Sequence, residues 1–123
     1  MASIIQTVEG VVANKFDIES GLKFGRSSDN QVHIDDLEVS TKHAQIICDV
    51  DNEGNPIYFL EDLHSTNGTF INEEKIQKQQ LHHKDNIRIG WNIFTFIDKE
   101  EVDYEKTREV KKSWIPGIFY SKD

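Results

Sequence analysis

Apolar and polar side chains alternate along much of the chain with the two-residue period of a β-strand. In the clearest run, 44–50, one face would carry Ala44, Ile46, Cys48 and Val50. Shorter segments with strand character are 11–18, 22–24, 32–34, 87–89 and 91–97. Because the period is two, each strand would turn one face toward a core and the other toward solvent.

Turn-forming residues separate these segments. The Asp-Asn-Glu-Gly-Asn-Pro sequence at 51–56 predicts a hairpin loop between strands at about 44–50 and 57–61. The Asn67-Gly68 pair is a strong tight-turn pattern. Many short strands at close spacing predict an all-β fold, either a sandwich or a barrel.

The composition of the chain changes near residue 98. Residues 98–112 are mostly charged, and 114–120 form an apolar, aromatic segment interrupted by Pro116-Gly117. We therefore predict a globular domain at 1–98 and a C-terminal extension at 99–123. The aromatic segment is predicted to pack on the sandwich, with contact to another domain or a partner as the alternative.

Charge and cysteine content restrict the classes of partner and compartment. The 123 residues include 14 Lys and Arg against 22 Asp and Glu, which gives a formal net charge of −8. A negative chain repels nucleic acid and anionic membranes, and no apolar run is long enough to span a bilayer. With Cys48 as the only cysteine and no signal-peptide pattern, a cytoplasmic protein is predicted.

Three polar segments stand where strands are predicted to end, at 24–30, 39–44 and 60–72. They bring together one guanidinium, several hydroxyls, a side-chain amide and glycines that permit close backbone approach. Arg can bind two phosphate oxygens through its planar fork, and hydroxyls and backbone N–H groups can bind the remainder. These segments predict a phosphate-binding site that needs no cofactor or metal.

The same segments resemble a known family. Gly25-Arg26, the Ser40-Thr41-Lys42-His43 segment and the Ser65-Thr66-Asn67-Gly68-Thr69 loop match, in order and spacing, the motifs of the forkhead-associated (FHA) domain. The resemblance covers about residues 22–98, with its core motif at about 22–76, and is to the small, single-domain bacterial type. It implies a sandwich of two twisted, mainly antiparallel sheets that binds phosphothreonine peptides in signalling and is not an enzyme.

The resemblance divides the matched positions into ligand-facing and loop-structuring residues. The ligand-facing residues are Arg26, Ser40, Thr41, Thr66 and Asn67. The loop-structuring residues are Gly25, His43 and Gly68. Arg26 and Ser40 are implied to grip the phosphate with Thr66 beside them, and Asn67 is implied to hold the peptide backbone.

The sequence departs from the family pattern at three positions. Thr41 stands where many members have Arg or Asn, which predicts a weaker ligand contact there. Glu73 follows Asn72 where Gly is usual, which predicts an altered turn. Lys84 stands where Gly is common, which predicts a modified hairpin near His82-His83.

Other functions remain as alternatives. The first is the same fold used for phosphate-independent protein contacts. The second is a hydrolase that uses Ser40, His43 and Asp62, the residue types of a catalytic triad. A metal site is disfavoured because the spacing of the five histidines matches no zinc pattern.

Thr107, in the charged extension, is a candidate phosphoacceptor. Once phosphorylated it could dock into its own domain or into a second copy. The alternative is that Thr107 is an ordinary solvated residue.

Overall fold

A computed structural model describes residues 2–98, which contain eleven β-strands and no helix. The strands are, in chain order, β1 (Ala2–Val8), β2 (Val11–Ile18), β3 (Gly21–Gly25), β4 (Val32–His33), β5 (Ala44–Val50), β6 (Pro56–Asp62), β7 (Thr69–Ile71), β8 (Glu74–Ile76), β9 (Lys78–Gln80), β10 (Asn86–Ile89) and β11 (Asn92–Asp98). Thr107 and the aromatic segment lie outside the described residues, so the predictions on the extension and on the boundary at 98 stay predictions.

The strands form two sheets that pack face to face. Sheet A has the order β2-β1-β11-β10-β7-β8, and sheet B has the order β4-β3-β5-β6-β9. Within residues 2–98 the single parallel pair is β3 with β4. Phe24 of sheet B meets Phe94 of sheet A edge to face, with 5.6 Å between ring centroids. The predicted all-β, mainly antiparallel sandwich is confirmed.

The strand predictions are confirmed most closely where alternation is strongest. β5 and β6 form the predicted hairpin, with Asp51 accepting hydrogen bonds from the loop backbone. The alternation gives a full core face only at the start of β5, because Val50 is 61% exposed. Trp91 is 82% exposed and lies in the turn before β11. β1 was not predicted; it pairs between the edge strand β2 and β11 in sheet A.

Two turns show how the departures from glycine are accommodated. Asn72 and Glu73 have φ of 51° and 69°, the signature of a type I′ turn, so Glu73 itself adopts the positive φ that glycine favours. Lys84 likewise has a φ of 74°. Its loop links β9 of sheet B to β10 of sheet A, so the predicted hairpin near His82-His83 is wrong.

The register of sheet B brings three chain segments to one end of the sandwich. Phe24 of β3 is paired with Ala44 of β5, and Ala44 is paired with Asp62 of β6. Since β5 runs antiparallel to both neighbours, the segments after β3, before β5 and after β6 all leave the sheet at this end. These are the three polar segments of the sequence.

A membrane-spanning helix is absent from residues 2–98.

Candidate functional site

The loop after β3 is attached to the segment before β5 by backbone hydrogen bonds. The Arg26 N–H donates to Ser40 O at 3.0 Å, and the Ser27 N–H donates to Thr41 O at 3.3 Å. A Cβ at Gly25 would lie 2.2 Å from Thr41 O, so a side chain there would force the two segments apart. Gly25 is therefore required by the close approach that places Arg26 beside Ser40.

Asn30 reinforces the same junction, and its role was not predicted. Its side chain is 8% exposed, and Nδ2 donates to Ser27 O at 2.8 Å and to Thr41 O at 2.9 Å. This amide closes the loop on itself and joins it to Thr41. The sequence signal was an Asn in a Ser-Ser-Asp-Asn turn, which also has many unrelated causes.

Ser40 joins the second polar segment to the third. Its Oγ accepts a hydrogen bond from the Thr66 backbone N–H at 3.0 Å. A serine hydroxyl has one donor hydrogen, and Ser40 Oγ–H donates to no group within residues 2–98. The hydroxyl is thus fixed in position by Thr66 with its proton still available to a ligand.

The Arg26 side chain is exposed at this junction. Its guanidinium makes no hydrogen bond or ion pair with any residue in the range 2–98. The hydroxyls of Thr41 and Thr66, both on exposed residues, are also free of partners in this range. The structure thus brings together four of the five residues predicted to face a ligand, each with a polar side-chain hydrogen that no group within residues 2–98 accepts.

His43 lies below this surface with 0% exposure. Its Nδ1 accepts a hydrogen bond from the Ser40 backbone N–H at 3.0 Å, so the ring proton is on Nε2, which donates to Gly68 O at 2.8 Å. Both nitrogens are used by backbone, so His43 cannot accept the Ser40 hydroxyl proton in this arrangement. The hydrolase alternative therefore lacks its base.

Asp62 organises the third segment rather than a triad. Its carboxylate accepts hydrogen bonds from the Ser65 hydroxyl and backbone N–H and from the Thr69 hydroxyl, at 2.5–3.1 Å. Burial acts to raise the pKa of Asp62, but these hydrogen bonds outweigh it and the pKa lies below its usual value. Ser65 Oγ in turn accepts the Gly68 N–H, and Gly68 has a φ of 92°. Asp62 therefore stabilises the loop at 62–69 through Ser65 and Thr69. This structural role of Asp62 was not predicted.

The side chain of Asn67, the fifth residue predicted to face a ligand, is already hydrogen-bonded within the chain. Its Nδ2 donates to Glu38 O at 2.8 Å and to Glu38 Oε1 at 3.2 Å. The contact joins residues 29 positions apart. It completes a continuous surface that runs from Arg26 through Ser40 and Thr66 to Asn67 and Glu38.

The local electrostatics differ from those of the whole chain. The Ser27 hydroxyl and the backbone N–H of Asp29 hold the pKa of Asp29 below its usual value, and Lys42 and Lys23 lower it further. Arg26 and Lys42 thus carry positive charge on this side of the surface, partly offset by the ionised Asp29, within a protein of net charge −8. Residues 2–98 contain no cluster of side chains suited to a metal ion.

The sequence of this chain is similar to those of known proteins. The family model for the FHA domain matches residues 22–90. FHA domain-containing protein FhaA of Mycobacterium tuberculosis is 39% identical over 66 residues, which are 54% of this chain and 12% of that protein. The glycogen accumulation regulator GarA of the same species is 35% identical over 73 residues, 59% of this chain and 42% of that protein. The chain thus spans less than half of either relative.

Solved structures agree with the family assignment. An FHA domain studied for phosphothreonine-dependent interactions superposes with a TM-score of 0.63 and 28% identity, covering 79% of this chain and 95% of that one. Mycobacterium tuberculosis EmbR, in complex with a low-affinity phosphopeptide, gives a TM-score of 0.66 and 30% identity over 78% of this chain and 24% of that one. With its fold, its motif-bearing loops and the match over 22–90 in agreement, the chain belongs to the FHA domain family.

Proposed function

We propose that this chain binds threonine-phosphorylated segments of partner proteins and so acts as an interaction module in signalling. The observation that carries the proposal is the pairing of Arg26 with Ser40. The Arg26 N–H donates to Ser40 O at 3.0 Å, so the two residues lie next to each other. Among residues 2–98 the Arg26 guanidinium has no partner and the Ser40 hydroxyl proton is uncommitted. Such groups are what a phosphomonoester, with three acceptor oxygens and negative charge, requires.

Each of the remaining matched residues has a distinct role in this proposal. Thr66 lies next to the two phosphate-binding residues, Arg26 and Ser40, because its backbone N–H donates a hydrogen bond to Ser40 Oγ. Thr41 presents an exposed hydroxyl to the ligand, and Asn67 binds the ligand backbone through its amide. Gly25, His43 and Gly68 shape the loops without touching the ligand, consistent with the close contacts at Gly25 and the buried ring of His43.

The family supports binding rather than catalysis. The FHA domain is a non-enzymatic interaction module, and one of the similar solved structures contains a phosphopeptide. We infer that this chain likewise catalyses no reaction, because positioning a phosphate for binding requires no base or nucleophile. We place the interaction in the cytoplasm, where the free thiol of Cys48 would remain reduced.

The binding unit is proposed to be residues 1–98, with 99–123 as an extension. Phosphorylated Thr107 is one proposed ligand, either in the same chain or in a second copy. A phospho-Thr107 peptide added to the domain would test this. Chemical-shift changes at Arg26 and Ser40 are expected, and their absence would leave only ligands from other proteins.

Calorimetric titration of a phosphothreonine peptide library and its unphosphorylated twin tests the main proposal. Arg26→Ala removes a charge-assisted contact of roughly 1.5–3 kcal/mol, so binding should weaken about tenfold or more. Lys15→Ala, on the outer edge strand β2, removes the same charge at a distant site and should bind as the wild type does. Equal binding of phosphorylated and plain peptides would instead favour phosphate-independent contacts.

A further inference from the structure

The Asn67 amide is occupied before any ligand arrives. An amide nitrogen has two N–H donors, and Asn67 directs them to the backbone oxygen of Glu38 at 2.8 Å and to its carboxylate at 3.2 Å. A ligand carbonyl that takes an N–H of Asn67 would displace the longer of these two bonds. The Glu38 carboxylate would then be released directly beside the ligand backbone.

The position of Glu38 is fixed by its loop. Asp36 Oδ1 accepts the Glu38 N–H at 2.9 Å, and the Val39 N–H donates to Asp36 O at 2.9 Å. Val39 itself is 1% exposed, and Asn92 Nδ2 donates to Asp36 Oδ2 at 3.2 Å. The loop is thus attached to the core on one side and to the first residue of β11 on the other, so the carboxylate stays at the edge of the binding surface.

Glu38 has no cationic partner among residues 2–98. Within residues 2–98 it forms no ion pair, and the Asn67 amide is its neutral neighbour. Ser40 and Thr66 lie between it and Arg26, because Ser40 contacts both Arg26 and Thr66, and Thr66 precedes Asn67. Arg26 therefore supplies a positive charge at one end of the binding surface, and Glu38 supplies a carboxylate without an ion-pair partner among residues 2–98 at the other.

We infer that Glu38 makes this site selective for phosphothreonine ligands that carry Lys or Arg near the phosphothreonine, and selective against those with Asp or Glu there. This inference rests on the proposed function and names the partner chemistry of the same site. A cationic side chain at the Glu38 end forms an ion pair with the released carboxylate. An acidic side chain there would be repelled by the Glu38 carboxylate. It would also compete with that carboxylate and with the ligand backbone for the N–H groups of Asn67.

A positional peptide series tests the inference. One phosphothreonine peptide is varied by placing Lys or Glu at each position within about three residues of the phosphothreonine, and binding is measured at low and high salt. At the position that meets Glu38, Lys should be preferred over Glu by about three- to tenfold at low salt, and less at high salt. Glu38→Gln should remove this preference, and Glu38→Lys should reverse it at that position.

Glu53→Lys is the matched control for net charge. It adds the same charge as Glu38→Lys, but Glu53 lies in the loop at the far end of β5, about 20 Å from the binding end. The positional preference should survive this change. If Glu53→Lys and Glu38→Lys reduce the preference equally, the effect comes from net charge and the inference is overturned.

The failures of the two proposals are distinguishable. Phosphate-dependent binding that is lost in Arg26→Ala but shows no charge preference would overturn the role of Glu38 alone. If no peptide of the series binds in a phosphate-dependent way, the proposed function fails and the inference fails with it.

Discussion

Ser40 and His43 are three residues apart, and the Nδ1 atom of His43 accepts a 3.0 Å hydrogen bond from the Ser40 backbone N–H. The opposite ring nitrogen donates to Gly68 O in a different loop. One buried side chain therefore fixes the backbone on both sides of the candidate phosphate grip. Without it, one partly buried backbone N–H and one buried backbone oxygen would lose their partners.

His43→Ala should reduce both stability and binding. One buried and one partly buried hydrogen bond are lost and Ser40 N and Gly68 O are left unsatisfied, so the free energy of unfolding should fall by about 2–4 kcal/mol. Urea unfolding measures this fall, and phosphopeptide titration below the transition should show weaker binding because Ser40 is no longer fixed. His33→Ala, at an exposed ring on β4, is the control and should change neither quantity. A His43→Ala protein with wild-type stability would contradict the structural role.

Asp62 should make stability depend on pH in the acid range. Its pKa is depressed in the folded state, so its stabilisation is present above the unfolded value near 3.8 and is lost as the pH falls through the folded value. Asp62→Asn should be less stable than the wild type by about 1–3 kcal/mol at pH 7. The difference should shrink below about pH 4, as the wild-type carboxyl becomes protonated. Urea unfolding at pH 7, 5 and 3 checks the trend, and a difference that does not change with pH would contradict it.

Glu73 should show opposing effects of backbone conformation and side-chain charge. It has a φ of 69°, while its carboxylate lies 3.0 Å from Arg88 Nε. Glu73→Ala loses this ion pair and keeps the strained backbone, so it should lose about 0.2–1 kcal/mol of stability. Glu73→Gly loses the same pair but relieves the strain, so it should be more stable than Glu73→Ala by about 1 kcal/mol.

Thermal unfolding of both Glu73 variants separates the two contributions. Since both lack the carboxylate, their difference isolates the backbone effect. If Glu73→Gly were the less stable of the two, the positive φ would not be the source of strain in this turn.

The alternation of side chains was sufficient to predict strands where one face is buried. Leu22 and Phe24 on β3 and Ile87 and Ile89 on β10 all point into the core, and their pattern identified both strands. β1 was not predicted although Ala2 and Ile4 are fully buried, because buried and exposed residues do not alternate along this strand. Its identity as a strand comes from its position between β2 and β11, which local sequence does not encode.

Turns were predicted less well than strands. The loop around Asp51 connects neighbouring strands of one sheet, and its composition was enough to predict a hairpin. Lys84 and Gly68 lie in connections that cross from one sheet to the other. The residue types in a turn indicate its local backbone angles. Whether the next strand then pairs with the preceding strand or joins the other sheet depends on how the two sheets pack.

The sequence by itself determined the fold class and the identity of the candidate site residues, because strand period, turn residues and the three loop motifs are local properties of the chain. Tertiary structure alone decided how those residues are engaged. Ser40 Oγ is held by Thr66, 26 residues away, and the Asn67 amide is held by Glu38, 29 residues away. Such contacts exist because the register of β3, β5 and β6 brings three loops to one end of the sheet, and a register is a relation between distant strands that no single segment specifies.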